Sequence, residues 1–76
     1  MTDNRKVKEQ EVAWLVATEH YAISAREYFY ILRLALYHVL GVATDSSYET
    51  AQAMETATPE VYECAIDILS IMYKEK

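Results

Sequence analysis

The best metal-ligand candidates in this sequence lie close together near its C-terminal end. Carboxylates and thiolates are common zinc ligands, and the residues of this kind are Glu60, Glu63, Cys64 and Asp67. On a helix Glu63 and Asp67 share one face, whereas Cys64 points toward the apolar side. The spacing therefore favours a solvated acidic face beside a small buried cysteine. We expect neither a metal site nor a cofactor.

The two histidines are the only other candidates for catalysis. His20 and His38 could act as general bases, but neither has a Cys, Asp, Glu or His three or four residues away. The single glycine also excludes a glycine-rich phosphate loop. We expect both histidines at the surface or in an interface, and we predict that the protein is not an enzyme.

Length and composition indicate one small folded domain over residues 1–76. The chain is 53% hydrophobic, with one Gly and one Pro, a composition that argues against disorder. A domain of this size buries only about 60% of the surface that its unfolded chain exposes. Stability should therefore be marginal, and a binding partner would add to it.

The net charge of −5 is unevenly distributed along the chain. Residues 1–33 hold equal numbers of basic and acidic side chains, whereas no Lys or Arg occurs between Arg33 and Lys74. Nucleic-acid affinity depends largely on Lys and Arg, so direct nucleic-acid binding is not expected. A protein partner with a basic surface would suit the acidic half better. The predicted acidic face consists of Glu49, Glu55, Glu60, Glu63 and Asp67.

Cysteine content and hydropathy predict a cytoplasmic protein. One cysteine permits no intramolecular disulfide, and the polar start of the sequence does not resemble a secretory signal. The most apolar stretch, residues 28–43, contains Arg33 and His38. It is also shorter than the roughly 20 residues that span a bilayer, so we expect no membrane contact.

Helix-capping signals divide the chain into four helices, and no segment alternates with the period of a strand. Ser24 and Ser46 each precede a Glu by three residues, which is the capping-box pattern. The predicted helix starts are Asp3 or Asn4, Ser24, Ser46 and Thr58, the last before a proline. The predicted ends are near Ala22, at Gly41, near Glu55 and near Lys74. We predict an all-α fold, a compact bundle of three long helices plus one short helix.

The first helix carries apolar residues on two opposite sides. The predicted core side contains Val12, Leu15, Val16 and Ile23. The other side contains Val7, Trp14 and Tyr21, spaced by seven. A single helix in a small domain rarely buries both sides, so this second stripe predicts an interface. We expect a homodimer, since two-fold pairing is the commonest closed assembly.

The second and fourth helices also have broad apolar faces. In the second, the predicted core is Tyr28, Ile31, Leu32, Ala35 and Val39, flanked by Phe29, Leu36 and Leu40. In the fourth it is Val61, Ala65, Ile68 and Met72, flanked by Tyr62, Ile66, Leu69 and Tyr73. The far side of the second helix carries Arg26, Tyr30, Arg33 and Tyr37, side chains that are enriched in interfaces. Alternatively, its arginines could cover tyrosine rings or pair with neighbouring acids.

Residues 39–54 resemble the helix-turn-helix of bacterial and phage regulators, with Gly41 in the turn and a serine-capped second helix. Gln52 could read adenine on this interpretation. The would-be recognition helix, however, contains two Glu and no Lys or Arg. Its position for a buried apolar residue is occupied by Ser47, or by Tyr48 after a shift of one residue. A short capped connection is the simpler interpretation.

These patterns predict a small acidic protein-interaction module, acting as an adaptor or inhibitor of a protein partner and forming a homodimer. Competition with nucleic acid for a basic surface would be one mode of inhibition. Two alternatives stay open: a helix-turn-helix DNA-binding regulator, and a helical dimer that binds a small ligand between Tyr30, Arg33 and Tyr37. Small accessory proteins of bacteria and phages are often of this type.

Overall fold

The computed structural model describes residues 4–73 and confirms the all-α prediction. The four helices are α1 (Asn4–Leu15), α2 (Ala25–Leu40), α3 (Ser47–Glu55) and α4 (Pro59–Met72). A π-helical turn, Val16–His20, continues α1 directly. No β-strand occurs within residues 4–73. The predicted cap at Asp3 and the predicted helix end at Lys74 lie outside the described residues.

Serine caps begin α2 and α3 as the sequence predicts. The Ser24 hydroxyl accepts the Glu27 N–H at 3.2 Å, and the Ser46 hydroxyl accepts the Glu49 N–H at 3.1 Å. In a complete capping box the glutamate also accepts the N–H of the capping serine. Here each glutamate has a different partner. The Glu49 carboxylate accepts the N–H of Asp45, one residue before the cap. The Glu27 carboxylate accepts a hydrogen bond from the hydroxyl of Tyr73, which directly follows α4. The two helix starts are therefore fixed by their serines.

The end of α2 is also as predicted. Gly41 adopts the left-handed conformation with φ of 69°, and its N–H donates to the carbonyls of Leu36 and Tyr37. The Val42 N–H also reaches back to the Leu36 carbonyl at 3.4 Å. These bonds satisfy carbonyls at the helix end that would otherwise lack partners.

The first helical run ends at His20 rather than near Ala22. The Tyr21 N–H donates to the Val16 carbonyl, and the Ile23 N–H donates to the Ala17 carbonyl, both at 3.0 Å. Ala22 between them has a φ of 55°, the one positive value at a non-glycine residue within residues 4–73. A left-handed conformation is unfavourable for alanine because of its Cβ, so the chain turns here at a cost.

The core forms where α4 packs against both α2 and α1, while α3 packs against α2. Arg5 lies 3.7 Å from Glu60, and the Tyr21 and Tyr73 ring centroids are 6.4 Å apart. These contacts join the starts of α1 and α4 and then their ends, so the two helices run in the same direction. The largest fully buried side chains are Ile31, Leu36, Thr50, Val61 and Leu69.

Helix α1 faces the core with a different side from the one predicted. Val12 and Leu15 are exposed, whereas Ala13 and Ala17 are completely buried. Small side chains allow two helix backbones to approach closely. A prediction based on large apolar residues does not place these alanines in the core. The prediction for this face was therefore wrong at Val12 and Leu15, although Val16 and Ile23 do pack against the core.

The stripe predicted at Val7, Trp14 and Tyr21 is divided in the structure. Val7 is exposed and Trp14 is 43% exposed, but Tyr21 is 8% exposed and belongs to the core. In a π-helical turn each residue is rotated about the helix axis by less than the 100° of an α-helix, because each turn holds more residues. Tyr21 is thereby rotated away from the side of Trp14, so it was wrongly assigned to an exposed interface.

The other long helices follow their predicted faces except at their ends. Helix α2 buries Tyr28, Ile31, Leu32, Ala35 and Leu36, and α4 buries Val61, Tyr62, Ala65 and Leu69. Val39 and Leu40, predicted in or beside the core, are exposed because they occupy the last turn of α2, next to the exposed residues 41–43. Met72 is likewise exposed in the last turn of α4.

The two left-handed residues give opposite expectations for stability. Ala22→Gly should raise the free energy of unfolding by about 0.5–1 kcal/mol, because glycine tolerates the positive φ. Gly41→Ala should lower it by about 1 kcal/mol through backbone strain alone, since an added Cβ would meet nothing within 4 Å. Urea unfolding followed by circular dichroism measures both.

Ala43→Gly is the matched control, because it makes the same exchange in an exposed connection without a positive φ. It should leave stability unchanged or lower it slightly. Equal effects of the substitutions at residues 22 and 43 would contradict the strain assigned to Ala22.

Candidate protein-interaction surface

The outer side of α2 carries a row of large exposed side chains, which we name the α2 strip: Arg26, Tyr30, Arg33 and Tyr37. At 100° per residue these four positions lie on one face, opposite the buried face of the same helix. Tyr30 is 50% exposed and Tyr37 is 62% exposed. Both arginines are exposed as well. The prediction that these residues lie on one outward face agrees with this geometry, and their binding role stays a prediction.

The arginines of the α2 strip interact only weakly with other side chains of the described residues. Arg33 Nη2 lies 3.9 Å from Asp45 Oδ1, and an ion pair this long and exposed contributes little to stability. Arg26 forms no ion pair within residues 4–73. Neither arginine stacks on a tyrosine ring in that part of the chain. The guanidinium groups therefore remain accessible to another molecule.

Two open depressions border the α2 strip, one on each side of Arg33. One, of about 220 Å³, also contacts Arg26, Tyr30 and the start of α3 at Ser47. The other, of about 210 Å³, also contacts Tyr37 and residues 43–45. Arg33 thus separates Tyr30 from Tyr37, and the three side chains do not enclose a single pocket within one copy of the chain.

The start of α2 is held in place by the end of α4. The Tyr73 hydroxyl donates a hydrogen bond of 2.5 Å to the Glu27 carboxylate. This bond, together with partial burial and the nearby charge of Glu27, raises the pKa of the Tyr73 hydroxyl. Tyr30 of the α2 strip lies close enough to contribute to the same effect. The strip is therefore attached to a helix that is fixed at its first turn.

Trp14 is partly inserted between the helices rather than fully presented to solvent. Its ring lies edge-on to the Tyr28 ring, with centroids 5.2 Å apart. It also borders a depression of about 280 Å³ with Gln10, Leu32 and Met54. Trp14 consequently stabilises the fold on one side and leaves the other side accessible, a less prominent anchor than Tyr37.

The predicted acidic face is divided into two parts by the start of α1. Glu60 pairs with Arg5 at 3.7 Å, and its pKa is lowered first by a hydrogen bond from Thr58 and further by Arg5. The Lys6 ammonium donates to the Glu55 backbone carbonyl at 2.6 Å. Basic side chains thus reach the region around Glu55 and Glu60.

The other predicted acidic residues are more accessible. Glu63 and Asp67 are exposed on α4 and form no ion pair within residues 4–73. Glu49 is exposed on α3, and its carboxylate accepts the Asp45 N–H. Glu63 and Asp67 therefore provide the strongest uncompensated negative charge on α4.

Within residues 4–73 the side chains that could bind a metal or act in catalysis do not meet at one site. No three His, Cys, Asp or Glu residues within residues 4–73 are placed to hold a metal ion. Cys64 is partly buried, and burial followed by the charge of Asp67 raises its thiol pKa, which makes it a poor nucleophile near neutral pH. His20 and His38 each lie edge-on to a neighbouring tyrosine ring, those of Tyr21 and Tyr37.

The α2–α3 connection differs from a helix-turn-helix. Residues 41–46 join the two helices, a longer segment than the three or four residues typical of that motif. A buried hydrogen bond of 2.8 Å between the Thr44 and Thr50 hydroxyls fixes the connection. On α3, Tyr48 is exposed and accepts a hydrogen bond from Gln52. Neither α3 nor the connection contains a Lys or Arg of its own for contact with a phosphate backbone.

The two most exposed large apolar side chains within residues 4–73 belong to none of the predicted surfaces. Ile71 is 82% exposed and Tyr48 is 71% exposed. Ile71 follows Asp67 by four residues, so the helical period alone would have placed it on the polar side of α4. Tyr48 lies in the first turn of α3, two residues after the Ser46 cap. The sequence patterns assign it no packing partner.

Comparison of the chain with protein-family models, with curated proteins and with solved structures gives no match in any of the three. Within residues 4–73 no helix combines the length and the apolar character needed to cross a membrane.

Two buried tyrosines, Tyr28 and Tyr62, predict a loss of stability at alkaline pH. Burial, with a smaller contribution from Tyr62, raises the pKa of Tyr28, and burial raises the pKa of Tyr62. The folded state therefore holds these protons more tightly than the unfolded state. Their contribution to stability is fully present below about pH 10 and is lost as the pH rises beyond it.

We expect Tyr28→Phe to reduce this pH dependence, because Tyr28 has the larger shift. Urea unfolding at pH 8 and pH 10.5 provides the measurement. Tyr48→Phe, which removes an exposed hydroxyl, is the control and should keep the wild-type dependence. Identical slopes for all three proteins would contradict the assigned role of Tyr28.

Proposed function

We propose that this protein is a small non-catalytic protein-interaction module and that the α2 strip is its principal binding surface. One observation carries the proposal: two tyrosines and two arginines alternate along the exposed side of a helix whose opposite side builds the core. Surface side chains of this size are usually scattered, whereas these four form a continuous row.

The residue types in the α2 strip are suited to binding a protein. Tyrosine supplies a large contact area with few rotatable bonds and a hydroxyl for hydrogen bonding. Arginine supplies planar donors for carboxylates and carbonyls. Both are enriched among the residues that dominate interface energies. Since α2 is already held by α4, binding would require little ordering of the strip.

The second element of the proposal is the negative charge of α4. Glu63 and Asp67 would attract a basic surface and orient it before contact. An adaptor or inhibitor acting in the cytoplasm could thereby cover a surface that otherwise binds nucleic acid. A DNA-binding role is less well supported, because α3 lacks basic residues and the α2–α3 connection is long.

Affinity capture with paired variants tests the binding role of the α2 strip. The bait is the wild-type chain, compared with Tyr37→Ala and with Tyr48→Ala as the matched control. Both substitutions remove a highly exposed tyrosine from a helix. We expect a specific protein, then confirmed with the purified pair, to bind at least about tenfold more weakly to Tyr37→Ala.

Tyr48→Ala should retain the wild-type affinity. Equal binding by both variants would contradict the assignment of the surface to α2. Binding lost only with Tyr48→Ala would transfer the surface to α3.

A further inference from the structure

Helix α4 carries an outward row that matches the α2 strip in length. We name it the α4 face, and it consists of Glu60, Glu63, Asp67 and Ile71. All four residues are exposed, and they lie opposite the buried side of α4. Three are negatively charged, and the fourth, Ile71, is the most exposed of the large apolar residues within residues 4–73. The α2 strip is basic and aromatic, so the two rows are complementary in charge and in apolar character.

We propose that this chain binds a second copy of itself, with the α2 strip of one copy against the α4 face of the next and the two helices parallel. The inference rests on the proposed function, because it names the partner of the same surface. Three residues of the α4 face follow three residues of the α2 strip by the same number of positions: Glu60 follows Arg26, Asp67 follows Arg33, and Ile71 follows Tyr37. A parallel alignment therefore opposes the pairs Arg26–Glu60, Tyr30–Glu63, Arg33–Asp67 and Tyr37–Ile71.

The antiparallel alignment of the same two rows is less favourable. It opposes the charged Arg26 to the apolar Ile71, and it opposes the aromatic Tyr37 to the charged Glu60. In the parallel alignment both positive charges meet negative ones, and the two most exposed apolar residues of the rows cover each other. Specificity for one orientation thus follows from the order of residue types along each helix.

Most of the charges required for this contact are available in the folded chain. Glu60 would have to share its exposed ion pair with Arg5, and a pair this exposed contributes little to stability. Arg26, Glu63 and Asp67 have no ion-pair partner within residues 4–73. Arg33 has only the long, exposed contact with Asp45 to exchange. The matched rows extend over about 16 Å of helix at 1.5 Å per residue. An interface of this length is small, so we expect weak association that depends on concentration and on salt.

The two rows lie on different sides of the molecule, which determines the form of the assembly. Helices α2 and α4 pack against each other through their buried faces, and each row lies on the outer side of its own helix. One copy therefore uses different surfaces toward its two neighbours. A contact of this kind leads to a ring or an open chain of copies rather than to a closed two-fold dimer.

The test uses two single variants, each with one charge reversed, first separately and then mixed. Light scattering and sedimentation at low salt should show that the average mass of the wild type rises with protein concentration. Arg33→Glu and Asp67→Arg should each weaken association at least about tenfold. Mixing these two variants should restore it, because every strip–face contact then again joins opposite charges.

Matched controls make the same charge changes on the exposed part of α1. Lys8→Glu and Glu11→Arg should keep the wild-type mass. Ile71→Ser, which changes no charge, should also weaken association by removing the partner of Tyr37. Circular dichroism of each variant verifies the fold, and all five substitutions are at exposed positions.

A wild type that stays monomeric at every concentration would overturn self-association. So would a mixture of Arg33→Glu and Asp67→Arg that stays as dissociated as either variant alone. Neither result would affect a different protein that binds the wild type but not Tyr37→Ala, so the proposed function and this inference can fail separately.

Discussion

The packing of α2 against α4 is the constraint on which the other features of the structure depend. Both helices contribute fully buried side chains to it, including Leu36 of α2 and Leu69 of α4. In so short a chain this contact uses one face of each helix, and too few helices are present to cover the opposite faces. The aromatic and charged rows on the outside are therefore a consequence of where the core forms.

Helix α1 completes the core through small side chains. Ala13 and Ala17 allow it to lie close to the other helices, and the π-helical turn then directs Tyr21 inward toward Tyr73. The strained Ala22 ends the turn so that the chain can enter α2. Tyr73 in turn holds Glu27 at the first turn of α2. Packing at one end of the bundle thus fixes the helix that carries the α2 strip.

Local signals in the sequence predicted much of this architecture. Ser24, Ser46 and Gly41 marked helix ends correctly, because capping depends on a few neighbouring residues. The outward position of the α2 strip was also predictable, since its period opposes a strongly apolar face. The face of α1 was not, because alanine burial and the π-helical turn depend on contacts with distant residues. The exposure of Ile71, by contrast, follows from the helical period alone, which places it on the side of Asp67.

The outer side of α2 is proposed as a binding surface, and the outer side of α4 as its complement. The most direct measurement is the change in backbone amide chemical shifts of the wild type between dilute and concentrated solution at low salt. Self-association through the α2 strip and the α4 face should concentrate the changes at residues 26–37 and 60–71 and leave α1 and α3 largely unaffected. Shifts that stay constant with concentration, or changes concentrated around Val7 and Leu15, would contradict it.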